Sequence, residues 1–142
     1  MNIATTIARI LLGLLFAFAG AMAFFVAPPP QPGLAGVFND VFYHSHWIYF
    51  LGAAQITLGA LLLANRFVPV ALMMLAAFLY NSFAFHLTMA QSSLPAPIVV
   101  FALWLLVSLK YRSIFAPLLA AKPVLRQADE IAQVAVKTRR AA

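Results

Sequence analysis

Few side chains in this sequence could do chemistry, and most of those that could stand inside apolar runs. His86 closes the stretch Asn81-Ser82-Phe83-Ala84-Phe85-His86, and Gln55 interrupts another apolar run. An imidazole in such surroundings can ligate a haem or metal, carry a proton, or donate to a quinone carbonyl. The plain alternative is a hydrogen-bonded packing role. Alone, His86 cannot make a bis-histidine haem site, so haem is not expected within one chain. Gln55 and Asn81 either share an amide hydrogen bond or contact a ligand. On a helix Ser82 and His86 lie on one face, one turn apart, whereas Asn81 is about 140° from His86. Arg9 is the only charge at the head of the first apolar run. Arg9, Gln55, Asn81, Ser82 and His86 thus form the candidate ligand-binding cluster, with catalytic residues unassigned. Asp40, His44 and His46 are a weak metal candidate, since short surface His-x-His pairs are commonly incidental; no metal site is expected.

Much other chemistry is excluded. Cysteine is absent, which removes disulfides, thiolate metal sites, thiol redox centres and c-type haem attachment. The three carboxylates, Asp40, Asp129 and Glu130, all fall outside the apolar runs. No nucleophilic triad, paired carboxylate site, P-loop or dinucleotide fingerprint is present. Self-contained hydrolytic or dehydrogenase chemistry is therefore not expected, and any electron transfer needs a bound cofactor whose identity stays open.

The elements that must position the candidates follow from composition. The chain has 142 residues, of which 65% are hydrophobic and 8% charged. A soluble domain carries about a quarter charged residues, and a chain this long buries only about two-thirds of its unfolded surface. Lipid is the solvent such a chain requires. A span needs about 20 mostly apolar residues, and four runs qualify, at about 3–26, 47–64, 68–90 and 96–119. The first ends in Pro28-Pro29-Pro30, and Asn65-Arg66-Phe67 makes a tight turn between the second and third. Gln91-Ser92-Ser93-Leu94-Pro95 separates the third from the fourth. Pro69 and Pro97 sit in first turns, where a missing N–H is tolerated. Backbone groups in lipid must be satisfied internally, and the alternation of a membrane barrel is absent, so the runs read as helices. The fold class is all-α: a four-helix integral membrane bundle over 1–120, with a basic cytoplasmic tail over 121–142.

Charge sets the expected orientation. Arg9, Arg66, Lys110, Arg112, Lys122, Arg126, Lys137, Arg139 and Arg140 all fall on one side of this arrangement, whereas the opposite loops carry only Asp40. The positive-inside rule then places both termini in the cytoplasm. The net charge of +6 is explained by orientation and anionic headgroups, so no nucleic-acid partner is expected. Residues 32–45 form a short amphipathic outer helix with Leu34, Val37, Phe38, Val41 and Phe42 on its apolar face, and Tyr43, Trp47 and Tyr49 belong to an interfacial belt. Residues 123–137 form an amphipathic tail helix with Val124, Ala128, Ile131 and Ala135 along one stripe. Ala21-Met22-Ala23 resembles a signal-peptide cleavage site, but the apolar run continues through Phe24-Phe25-Val26, so the first span is expected to be retained. Gly13, Ala17 and Gly20 in the first span, and Gly52 and Gly59 in the second, read as helix contact faces.

Several of these segments together resemble a known family. They are Arg9-x-x-x-Gly13, Phe24 to Pro30, Gly52 to Gly59, Asn65-Arg66-Phe67-Val68-Pro69-Val70-Ala71-Leu72, Asn81-Ser82-Phe83-Ala84-Phe85-His86-Leu87 and Tyr111-Arg112-x-x-Phe115-Ala116-Pro117. From about Arg9 to Leu119 the chain resembles the DoxX family of small bacterial four-helix membrane proteins. The resemblance implies a multi-pass protein of the bacterial inner membrane, associated with oxidoreductase systems such as a thiosulfate:quinone oxidoreductase subunit. Arg9, Asn81 and His86 match the family pattern. Gln55 stands where many relatives carry an acidic residue, and Ala23 where they carry Lys; their joint replacement removes a buried ion pair.

The functional expectation is a membrane subunit or accessory of a quinone-linked redox system, with lipid, a partner oxidoreductase subunit or a second copy as partners. The alternative is a non-enzymatic scaffold or assembly factor for a partner protein. Solute transport by four short helices without an embedded charge is the weakest reading.

Overall fold

The computed structural model describes residues 3–27, 29–119, 121, 133 and 136–139. Among them the chain is all-helical. Helices α1 (Ile3–Phe25), α2 (Gly33–His44), α3 (Trp47–Leu63), α4 (Val68–Thr88), α5 (Pro95–Lys110) and α6 (Arg112–Phe115) follow in order. A 3₁₀ turn at Gln91–Ser93 precedes α5, and another at Ala116–Leu119 follows α6. Two helices, α1 and α4, are long and apolar enough to cross a membrane, or up to four spans if each pair of helices flanking a short break counts as one. At 23 and 21 residues, α1 and α4 are about 34 and 31 Å long by helical rise, which matches a hydrocarbon layer of about 30 Å.

The chain divides into two compact units, Met1–Lys110 and Tyr111–Ala142. In the first, α1 packs most extensively on α3 and also meets α5, while α4 meets both α3 and α5. The α1–α3 seam is made by glycines. A Cβ placed on Gly20 would lie 2.5 Å from Gly52 O, and one on Gly59 would lie 2.7 Å from Gly13 O. Gly13 faces Gly59 and Gly20 faces Gly52, so the two helices run antiparallel with their backbones in close approach. This is the close packing small residues permit in an apolar solvent.

The deepest core lies toward one end of these helices. Leu12, Leu62, Leu72, Leu75 and Val107 are fully buried, and Ala8, Leu58, Val68 and Ala71 surround them. Outside this core the surface is apolar. Phe18, Phe50, Val70, Tyr80, Val99 and Leu109 are all more than half exposed, as suits helices whose outer faces meet lipid rather than water.

The connections have distinct causes. Between α3 and α4, Asn65 and Phe67 adopt left-handed backbone, φ 54° and 52°, and Pro69 occupies the first turn of α4. Between α2 and α3, His46 takes left-handed backbone at φ 62°, and the helical path bends by 85°. The apolar residues of α2 separate accordingly: Leu34, Val37 and Val41 are exposed, whereas Phe38 packs on Phe85 with ring centroids 5.3 Å apart.

The fourth apolar run differs from the reading of its sequence. Its helix ends at Lys110, and residues 112–119 form the short α6 and a 3₁₀ turn in the second unit. Hydropathy measures composition and not helical continuity, so Ile114, Phe115, Leu118 and Leu119 extend the apolar run beyond the break at Tyr111. In the tail, Gln133 and residues 136–139 are helical and exposed. The rest of the amphipathic stripe at 123–137 lies outside the described residues.

Candidate functional site

At the end of the first unit away from its tight core, the helices part around a cleft of about 680 Å³. Leu15, Phe16 and Ala19 of α1 form one wall, and the inward face of α4, with Phe78, Asn81, Ser82, Phe85 and His86, supplies another. Phe38 and Phe42 of α2, Trp47, Leu51 and Gln55 of α3, and Ala96, Pro97 and Val100 of α5 complete it. Four polar side chains from the sequence reading line this space: Gln55, Asn81, Ser82 and His86. The lining carries no acid and no base besides His86.

Local sequence explains how the walls are held. Phe16 meets Phe78 edge-on at 6.2 Å, which braces α1 against α4. Phe38 packs at a tilt against both Phe42 and Phe85, with centroids 4.4 and 5.3 Å away, so α2 contributes an aromatic cover. That cover is tied down at its far end. The Tyr43 hydroxyl donates to Val26 O at 3.0 Å, and Phe24 stacks on Tyr49 at 5.4 Å. Burial, and secondarily the neighbouring Tyr49, push the Tyr43 phenol above its ordinary range.

His86 is oriented by the connection that follows its own helix. Its Nδ1 lies 2.9 Å from Ser93 Oγ and 3.4 Å from Ala90 O. The Ser93 hydroxyl in turn donates to Ala90 O at 3.0 Å. A carbonyl can only accept, so both contacts are satisfied when Nδ1 carries the proton. Nε2 is then left with a lone pair and no protein partner among the described residues. The Phe85 ring packs against the imidazole at 5.2 Å.

The two amides do not satisfy each other. Asn81 Nδ2 donates to Ala77 O in its own helix at 2.9 Å, and Gln55 is half-buried without a hydrogen bond to Asn81. Asn81 and His86, on different faces by helical angle, both reach the cleft because it is wide and bounded on several sides. Ser82 lines it one turn below His86.

Arg9 is placed elsewhere. Its side chain is buried and donates through Nη1 to Leu62 O and, at 3.3 Å, to Leu63 O. These are carbonyls of the last turn of α3, which lack intrahelical partners. Arg9 is therefore a cross-helix cap at the negative end of the α3 dipole. His86 stands 18 residues after the start of α4, about 27 Å along that helix. The five residues named from the sequence thus divide into a cleft group of four and a cap of one.

Asp40, His44 and His46 do not converge either. His44 Nδ1 lies 3.1 Å from Asp40 Oδ1, and both side chains are exposed, so the pair is worth little. His46 turns instead against Tyr49 at 5.7 Å. Among the described residues no three His, Cys, Asp or Glu side chains come together as a metal site.

The sequence reading missed Ser93 and the aromatic cover. A hydroxyl seven residues after His86, in a short polar connection, was the available signal for Ser93. Phe38 and Phe42 were legible as one apolar face but not as a cover, because the 85° bend at the α2–α3 break decides where that face lands.

Comparison with protein-family models, with curated proteins and with solved structures gives no match. The chemical reading rests on the geometry: a largely apolar, aromatic-walled cleft holding two amides, the hydroxyls of Ser82 and Thr88, and one imidazole with an available Nε2. Such a lining suits a flat, weakly polar molecule that both donates and accepts hydrogen bonds.

Proposed function

We propose that the chain is a four-span integral membrane protein, similar to the DoxX family of the bacterial inner membrane, and that its cleft takes a quinone or its quinol. On this reading it serves as a membrane subunit or accessory of a redox system. The supporting observation is the polar quartet Gln55, Asn81, Ser82 and His86 within a largely apolar cleft, in which the Thr88 hydroxyl is turned back to Ala84 O. Polar groups at that depth are costly and ordinarily serve a function.

The residues present fit such a ligand. Phe38, Phe42 and Phe85 supply aromatic faces for a ring, and the apolar walls accommodate an isoprenoid-like tail. The amides of Gln55 and Asn81 are donors for a carbonyl, and Nε2 of His86 accepts from a hydroxyl. A bound quinone would supply two-electron, two-proton redox chemistry. The chain's own residues would bind and orient it, exclude water and hold a proton at His86. Electrons would come from or go to a partner oxidoreductase subunit, since the chain has no Cys to carry them.

The test is binding of a short-tailed quinone analogue to the full chain in lipid nanodiscs, read by quenching of Trp47 in the cleft wall. Saturable quenching is expected, with affinity reduced about 3–10-fold in His86→Ala, the loss of one hydrogen bond. Absence of saturable binding, or wild-type affinity in both His86→Ala and Asn81→Ala, would overturn the proposal.

A further inference from the structure

We infer that Ser93 positions His86, fixing its tautomer and linking the cleft to the protein surface as a path for one proton. The inference rests on the cleft reading only for what the path serves; the pairing itself is a property of the ligand-free chain.

His86 is half-buried and lines the cleft, whereas Ser93 is exposed in the 3₁₀ turn Gln91–Ser93. Their side chains meet at 2.9 Å, so one hydrogen bond joins the interior to the surface. The direction of that bond is set by the third member. The Ser93 proton is directed to Ala90 O, and Nδ1 also approaches that same carbonyl. An unprotonated Nδ1 facing a carbonyl would be repelled, so the arrangement favours Nδ1–H and presents Nε2 as the base. No residue lining the cleft from α1, α2, α3 or α5 is an acid or a base, and Gln91, Ser92 and Ser93 carry no charge. Nothing else in the cleft wall competes for the proton.

The step balances without redox change. A ligand O–H gives its proton to Nε2, and the ring becomes imidazolium. The Ser93 hydroxyl turns from Ala90 O toward the surface, and Nδ1 then passes its proton to Ser93 Oγ as that hydroxyl releases its own to water. One proton has crossed from ligand to solvent, and the ring is left with Nε2–H. Reloading of Nδ1 from the surface through Ser93 allows that proton to return to a ligand oxygen, so the pair works in either direction.

The experiment is ¹⁵N NMR of the full chain, labelled at histidine, in nanodiscs without added quinone, with His86→Gln assigning the resonances. In the neutral ring, wild type is expected to show the protonated nitrogen at Nδ1. Ser93→Ala is expected to shift the population toward Nε2–H, and Ser93→Thr, which keeps the hydroxyl, to restore it. A wild-type ring protonated at Nε2, or a population identical in wild type and Ser93→Ala, would overturn the inference. Circular dichroism of each variant confirms that the helices are retained. Quinone-analogue affinity measured across pH gives the second readout. In Ser93→Ala its pH dependence is expected to shift while its plateau stays within about twofold of wild type; an unmoved profile contradicts the path. Should no analogue bind while the tautomer responds to Ser93, the cleft proposal falls and the positioning role stands.

Discussion

Arg9 and His86 show how two polar residues inside apolar runs serve opposite ends of the helices. Arg9 supplies donors to the last carbonyls of α3, adding to the bond that Leu62 O already accepts from Asn65 N. Arg9→Met should lower stability in detergent by about 1–3 kcal/mol and leave quinone-analogue affinity unchanged, since the side chain lies outside the cleft. Thermal unfolding and binding measured on the same sample check both halves. Tyr43 makes a pH-dependent contribution at the other end. Its pKa is raised in the folded chain, so its contribution is fully present below about pH 10, the ordinary phenol value. It is lost as the pH rises through the higher folded value. Wild type should therefore lose more stability than Tyr43→Phe between neutral and strongly alkaline pH. At neutral pH the same variant should cost about 0.5–1 kcal/mol, the loss of its bond to Val26 O. The polar types were legible in the sequence, but their partners were not. Nothing in the spacing tells that Asn81 turns back to Ala77, or that Arg9 reaches 53 positions along the chain to Leu62.

At the scale of elements, the glycine seam carries the most specific expectation. Gly20 and Gly52 meet where an added Cβ would run into backbone. Gly20→Val or Gly52→Val should force α1 and α3 apart, at about 1–3 kcal/mol as overpacking does in other cores. Gly33, whose Cβ would meet nothing within 4 Å, sits at φ 67°, so there Ala costs through backbone strain alone. Denaturation midpoints of the three variants separate the two causes. The seven-residue spacing of these glycines was readable as a contact face, because small residues in an apolar run have few other uses. Helix positions were readable where Pro, Gly or a tight turn interrupts hydropathy, as before α2 and between α3 and α4. The stop at Lys110 was masked, because apolar residues resume at Ile114 after the short polar stretch Lys110-Tyr111-Arg112-Ser113. The cleft was not legible either. It arises where α4 stands away from α1 and α3, and that depends on how aromatic rings such as Phe16 and Phe78 meet, not on periodicity.

For the whole molecule, apolar surface and charge placement support the same membrane reading. Exposed Phe, Leu and Ile side chains surround the first unit, and its cationic residues Arg66 and Lys110 lie at the helix ends near Arg9's cap, away from His86. Reporter tags on the two termini should both be found in the cytoplasm; tags in opposite compartments would contradict an even number of crossings. The central claim, that the cleft is a quinone site, is tested most directly by a photoreactive benzoquinone with a short apolar tail. After irradiation of the full chain in nanodiscs, peptide mass spectrometry should find the label on cleft residues such as Phe38, Phe85 or His86. Excess unlabelled quinone should abolish that labelling. Label confined to outward residues such as Phe18, Phe50 and Tyr80, insensitive to competitor, would contradict the account.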